Sequence, residues 1–103
     1  MKINKETLRR KILNVIENSS EISFYEVRVF ENGDVVRFKD NNNITYSVYI
    51  IDDIEIQISW FDNNDCIHFF ASRNIKAYKN IEQMMFDFGI TLYRLTNYAI
   101  EQF

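Results

Sequence analysis

The chain has 103 residues, 47% of them hydrophobic, and a net charge of −3 at neutral pH, which suits one domain with its own core and is too short for two. Cys66 is the single cysteine and His68 the single histidine, so neither an internal disulfide nor a four-ligand Cys/His zinc site can be built from one chain. No apolar run approaches the ~18 residues of a membrane span, and the N-terminal residues lack the apolar segment of a signal peptide; a cytoplasmic protein without membrane contact is expected.

Residues 5–18 place Leu8, Ile12, Val15 and Ile16 at helical spacing, with Arg9, Arg10, Lys11, Asn14 and Glu17 on the opposite side. That pattern predicts one amphipathic helix, capped by Asn4 and stopped at Asn18-Ser19-Ser20.

From Ile22 the period changes to two, and five strands are predicted over 22–31, 34–39, 44–51, 54–61 and 66–72, separated by Asn, Asp and Gly. Asn32-Gly33 suits a two-residue type I′ hairpin, because both residues tolerate positive φ. That turn pairs Val29 with Val36 and Val27 with Phe38, and sets Arg28 opposite Arg37 and Glu26 opposite Lys39. In the third and fourth strands the even positions are apolar. A three-residue connection, Ile51-Asp52-Asp53, keeps them on one face by pairing Ile50 with Ile54, Val48 with Ile56 and Tyr46 with Ile58. A four-residue loop, Asp62-Asn63-Asn64-Asp65, pairs Trp60 with Ile67 and Ile58 with Phe69. It buries Ile67, Phe69 and Ala71 and turns Cys66, His68 and Phe70 outward.

The last segment, roughly 79–103, carries Ile81, Met84, Met85, Phe88, Leu92, Leu95 and Ala99 at three- and four-residue steps. It predicts a second, longer helix. A further row, Phe86, Ile90, Tyr93 and Ile100, widens the apolar surface beyond what one side of a sheet covers. Either the helix lies between the sheet and the first helix, or it meets another chain. The expected fold is a single α+β domain over 1–103: an N-terminal helix, a five-stranded antiparallel meander and a long C-terminal helix, with both helices on one face.

Eleven of the fifteen acidic residues fall between 17 and 65, with only Arg28, Arg37 and Lys39 to balance them. The acids of the sheet and its turns, Glu31, Asp34, Asp40, Asp52, Asp53, Glu55, Asp62 and Asp65, are the candidate partner-binding residues. Attraction of this kind speeds association with a basic protein and weakens with salt.

Other chemistry finds little footing. Cys66 and His68 stand two apart on a strand, yet an activated thiol also needs a group to orient the imidazole and a pocket for the reacting centre. Asp62 and Asp65 offer oxygen ligands without the rest of an EF-hand pattern, Asp52, Asp53 and Glu55 lie at a turn where a general acid would stay solvated, and two distant glycines build no phosphate loop. No catalytic residue, cofactor or metal is therefore expected. Lys2, Lys5, Arg9, Arg10 and Lys11 form the only positive cluster, and an acidic sheet disfavours direct nucleic-acid binding. Phe24, Phe30, Tyr49, Phe61 and Phe70 on the outward face of the sheet suit a heterologous partner, a homodimer or simple exposure to solvent.

In size, charge and composition the chain is similar to small acidic proteins of phages and mobile elements that block host nucleic-acid enzymes, such as anti-CRISPR and anti-restriction proteins. The similarity implies a non-enzymatic inhibitor that occupies a basic groove in place of nucleic acid. An immunity protein against a basic nuclease toxin makes the same physical demand. The alternative is a dimeric chaperone-like or regulatory module that uses the apolar C-terminal helix, or the sheet, as its contact surface.

Overall fold

The computed structural model describes residues 4–52 and 55–103, with the backbone alone for Phe24. Lys2, Asp53 and Ile54 lie outside the described residues. The element order is α1 (Lys5–Glu17), β1 (Ile22–Phe30), β2 (Gly33–Asp40), β3 (Thr45–Ile51), β4 (Glu55–Phe61), β5 (Ile67–Asn74), a 3-10 turn (Ile75–Ala77) and α2 (Ile81–Ile100). The five strands form one antiparallel meander in sequence order. This is the α+β domain the periodicities predict.

Both helices start on asparagine caps. Asn4 accepts from the Thr7 amide and Asn80 from the Gln83 amide, each at 2.8 Å, while Gln83 Oε1 accepts from the Lys79 amide at 2.7 Å. The two cap bonds satisfy amides that the first helical turn leaves without a partner, and the Gln83 bond ties the residue before the second cap to the helix. The core lies between the helices and one face of the sheet: Leu8, Ile12 and Ile16 from α1, Met84, Phe88, Leu95 and Ala99 from α2, and Val36, Phe38, Tyr46, Val48, Ile50, Ile56 and Ile58 from the strands are all buried. Each large aliphatic side chain there contributes about 1.5–3 kcal/mol on leaving water.

The registers differ from those the sequence suggests, in two ways. The first hairpin turns at Glu31-Asn32, with Phe30 opposite Gly33, so Val27 faces Val36 and Tyr25 faces Phe38. Gly33 is used for close approach instead of for the turn. A Cβ on it would lie 2.5 Å from Tyr49 Cε1 and 2.6 Å from the Ile50 carbonyl oxygen. The slip of two keeps Val27, Val29, Val36 and Phe38 on the expected face and replaces the opposed Arg28 and Arg37 by Glu26 opposite Arg37, which removes a like-charge pair. A similar slip of two between β3 and β4 pairs Ile50 with Ile56, Val48 with Ile58 and Tyr46 with Trp60.

The β4–β5 connection has a larger effect, because it runs over residues 62–66 and pairs Phe61 with Ile67 and Trp60 with His68. Five residues instead of four invert the strand. His68 therefore turns toward the helices and stacks on Trp60 at 4.4 Å, while Ile67 and Phe69 stand on the open face, 60% and 63% exposed. A bulge between Ile58 and Ser59 then restores Ala71 opposite Ile58, and Phe70 packs against the core, its ring 5.6 Å from that of Tyr98.

Candidate interaction surface

Of the eight sequence-predicted residues, Asp53 lies outside the described residues, and the other seven do not gather on one surface. Asp34 is fully buried beneath α1, where its Oδ2 accepts from Arg9 Nη1 at 2.5 Å and its Oδ1 lies 3.5 Å from Lys5 Nζ. Asp40 is 2% exposed. Its Oδ1 accepts from the amides of Asn42 and Ile44, at 2.9 and 3.0 Å, and its Oδ2 from the Tyr46 hydroxyl at 2.5 Å. Both carboxylates are consumed inside the fold, because a buried charge requires a partner. Neither can be presented to another molecule.

The remaining described acids divide between opposite ends of the sheet, as the turns of a meander must. Glu31 and Asp52 are exposed at the β1–β2 and β3–β4 turns, and the pairing of Gly33 with Ile51 sets those turns side by side, with Glu55 at the start of β4. At the other end Asp62 and Asp65 flank the β4–β5 loop. Asp62 Oδ1 accepts from the Asn64 and Cys66 amides at 2.8 and 3.0 Å, and its Oδ2 is hydrogen-bonded to His68 Nε2 at 2.7 Å. The His68 bond, followed by the two amides, holds the Asp62 carboxyl below the usual carboxylate range. None of the described hydrogen bonds joins Cys66 to His68. The thiol sits 3.9 Å from the Asn64 carbonyl, so the cysteine and the imidazole are not assembled as nucleophile and base. No cluster of three potential metal ligands occurs among the described residues.

The face of the sheet away from the helices is not acidic. Arg28, Arg37 and Lys39 stand there against Glu26 and Glu55, with the Arg37 guanidinium 5.0 Å from the centre of the Phe61 ring. Glu26, Arg37, Lys39, Thr45, Phe61 and Asp65 line a shallow cleft of about 490 Å³. Of the expected outward aromatics, Phe30 and Tyr49 are exposed and Phe61 is half-buried, Phe70 has turned inward, and the side chain of Phe24 is outside the described residues.

An uncovered apolar row lies on α2. This helix lies beside α1, not beneath it. It reaches β4 and β5 through Tyr98 against Trp60 and Phe70, and through Asp87, which accepts from Arg73 Nε at 2.8 Å and from the Tyr78 hydroxyl at 2.6 Å. The Tyr78 bond and, after it, the Arg73 guanidinium lower the Asp87 pKa against the opposing effect of burial. Met84, Phe88, Leu92, Leu95 and Ala99 face the core, and the row Phe86, Ile90, Tyr93 and Ile100 runs along the opposite side, with Phe86 74% and Tyr93 66% exposed. A helix apolar on two opposite faces has one that the fold does not cover. No helix is long and apolar enough to cross a membrane, among the described residues.

Comparison with protein-family models, with curated proteins and with solved structures finds no match to this chain.

Proposed function

We propose that the chain is a non-enzymatic protein-interaction module whose contact surface is the outward row of α2. The observation that carries this reading is the exposure of Phe86, Ile90, Tyr93 and Ile100 directly opposite the buried face of the same helix. Apolar side chains in register along a helix supply the anchors of helix-in-groove and helix–helix recognition, and aromatics are favoured at the centres of such contacts. The test compares wild-type bait with Phe86→Glu and Tyr93→Glu baits at low and high salt. A partner held by the wild type should be lost from both variants and retained in salt. Retention by Tyr93→Glu would remove the reading.

A second reading keeps the inhibitor of a basic groove, of the anti-CRISPR, anti-restriction or toxin-immunity kind, and narrows its surface to one end of the sheet. The neighbouring turns that carry Glu31 and Asp52, with Glu55 beside them, support it. Asp34 and Asp40 drop out of that surface. Glu31→Lys with Glu55→Lys should slow association with a basic nuclease or other nucleic-acid enzyme, most strongly at low salt; an unchanged on-rate would exclude this surface.

A further inference from the structure

We infer that the occupant of the α2 row is a second copy of this chain, its own α2 running antiparallel to the first. The inference rests on the α2 reading above and names its partner. The outward row, extended by the exposed Asn97, falls at Phe86, Ile90, Tyr93, Asn97 and Ile100. The steps alternate between four and three residues, which is the spacing of a coiled-coil seam, with Ile90 and Asn97 at one kind of seam position and Phe86, Tyr93 and Ile100 at the other. A single asparagine in such a seam costs stability.

The charges beside the seam decide the direction. Asp87 and Arg94 lie on the same flank of α2, two helical turns apart; Asp87 Oδ2 is taken by Arg73 and Tyr78, while Arg94 acts on Asp87 of its own chain only through longer-range attraction and makes no salt bridge among the described residues. In a parallel pair, Glu82 of one copy would face Asp87 of the other, two carboxylates, and the next two flanking pairs, Gly89 with Arg94 and Thr96 with Glu101, would provide no ion pair. In an antiparallel pair with Ile90 against Tyr93 of the second copy, Arg94 comes beside the second copy's Asp87, and the two-fold axis makes that contact twice. The same register sets Phe86 against Asn97 and Gln83 against Ile100. A surface complementary to itself in this way is what a closed two-fold dimer requires.

Sedimentation of the full chain, together with a spin label at Glu82→Cys in a Cys66→Ser background, tests both the dimer and its direction. The wild type should sediment as a dimer, Tyr93→Glu should be monomeric with an unchanged circular dichroism spectrum, and Arg94→Glu should weaken the dimer about tenfold. In the antiparallel register the two labels sit 19 residues apart along the seam, about 30 Å at 1.5 Å per residue; a parallel pair would hold them about 10 Å apart, the helix–helix spacing. A dimer with the short distance overturns the antiparallel arrangement and leaves self-association standing. A wild type that is monomeric throughout overturns the second copy as occupant, and the α2 reading then survives only if Tyr93→Glu loses a different protein. A dimer that Tyr93→Glu does not disturb overturns both.

Discussion

Arg9 donates to Asp34 across the layer between α1 and β2, and this contact takes one of the eleven acids counted between residues 17 and 65 into the interior. The basic N-terminal segment and the acidic sheet partly neutralise each other through this one internal ion pair, with Lys5 as its third member. The carboxylate is fully buried while both cations are about one quarter exposed, so the two sides of the pair respond differently to removal. Arg9→Met leaves a buried carboxylate whose Oδ1 accepts no hydrogen bond even in the intact protein. It should cost about 3 kcal/mol in urea unfolding. Asp34→Asn leaves cations that can turn to water, and about 1 kcal/mol is expected. Equal losses would show that the buried carboxylate is not the costly member.

Asp40 and Tyr46 form the second internal device. Burial and then the bond to Asp40 raise the Tyr46 pKa above its ordinary value of 10.0, so the phenol stays a donor at any physiological pH. Tyr46→Phe keeps the ring stacked on Phe38, 5.3 Å away, and deprives Asp40 Oδ2 of its hydrogen bond. A loss of about 1–3 kcal/mol is expected, with the β2–β3 turn most affected in hydrogen exchange. A loss no larger than that of an exposed tyrosine would argue against a buried bond.

These two pairs also explain how much the sequence could show. The strand and helix periods depend on side-chain spacing alone, and the core face of every strand but the last follows from parity. Register is set by turn length. Slips of two at the first and third turns preserve parity and went unsignalled, whereas the single extra residue at Cys66 inverted the first half of β5 and exchanged His68 and Phe70 for Ile67 and Phe69. The acidic surface failed for a different reason. Counting charges along the chain cannot tell a carboxylate that faces water from one that faces Arg9 or Tyr46. The α2 row was legible because its two apolar faces are too wide for one sheet.

The two glycines separate close approach from helix propensity. Gly33 has φ +155° and no room for a Cβ against Tyr49 and the Ile50 carbonyl, so Gly33→Ala must displace β3 and should cost about 2 kcal/mol or more. At Gly89, within α2, an added Cβ meets only Val15 Cγ1 at 3.9 Å. Gly89→Ala should stabilise by about 0.5–1 kcal/mol through the helix and the unfolded chain. Thermal melts of the two variants should move in opposite directions; a Gly33→Ala protein as stable as the wild type would refute the tight approach.

The dependence on pH should have two limbs, both traceable to hydrogen-bonded pairs. Asp62 and Asp87 have folded pKa values below the usual carboxylate range, held there chiefly by His68 and by Tyr78. The unfolded chain takes up these protons first as pH falls, so the stabilisation is complete above the ordinary carboxylate pKa and is lost as pH drops through the lower folded values. Tyr78 has the opposite sign. Burial, then its bond to Asp87, pushes it from 10.0 up to about 12, so its contribution is complete below about 10 and is lost as pH rises toward 12. Asp87→Asn should therefore melt lower than the wild type at neutral pH yet decline less on acidification. Asp62→Asn should show the same flattening. Melting curves from acid to alkaline pH by circular dichroism decide the matter. An acid limb of Asp87→Asn parallel to the wild type would mean that the contact of Asp87 with Arg73 and Tyr78 does not fasten α2 to β5.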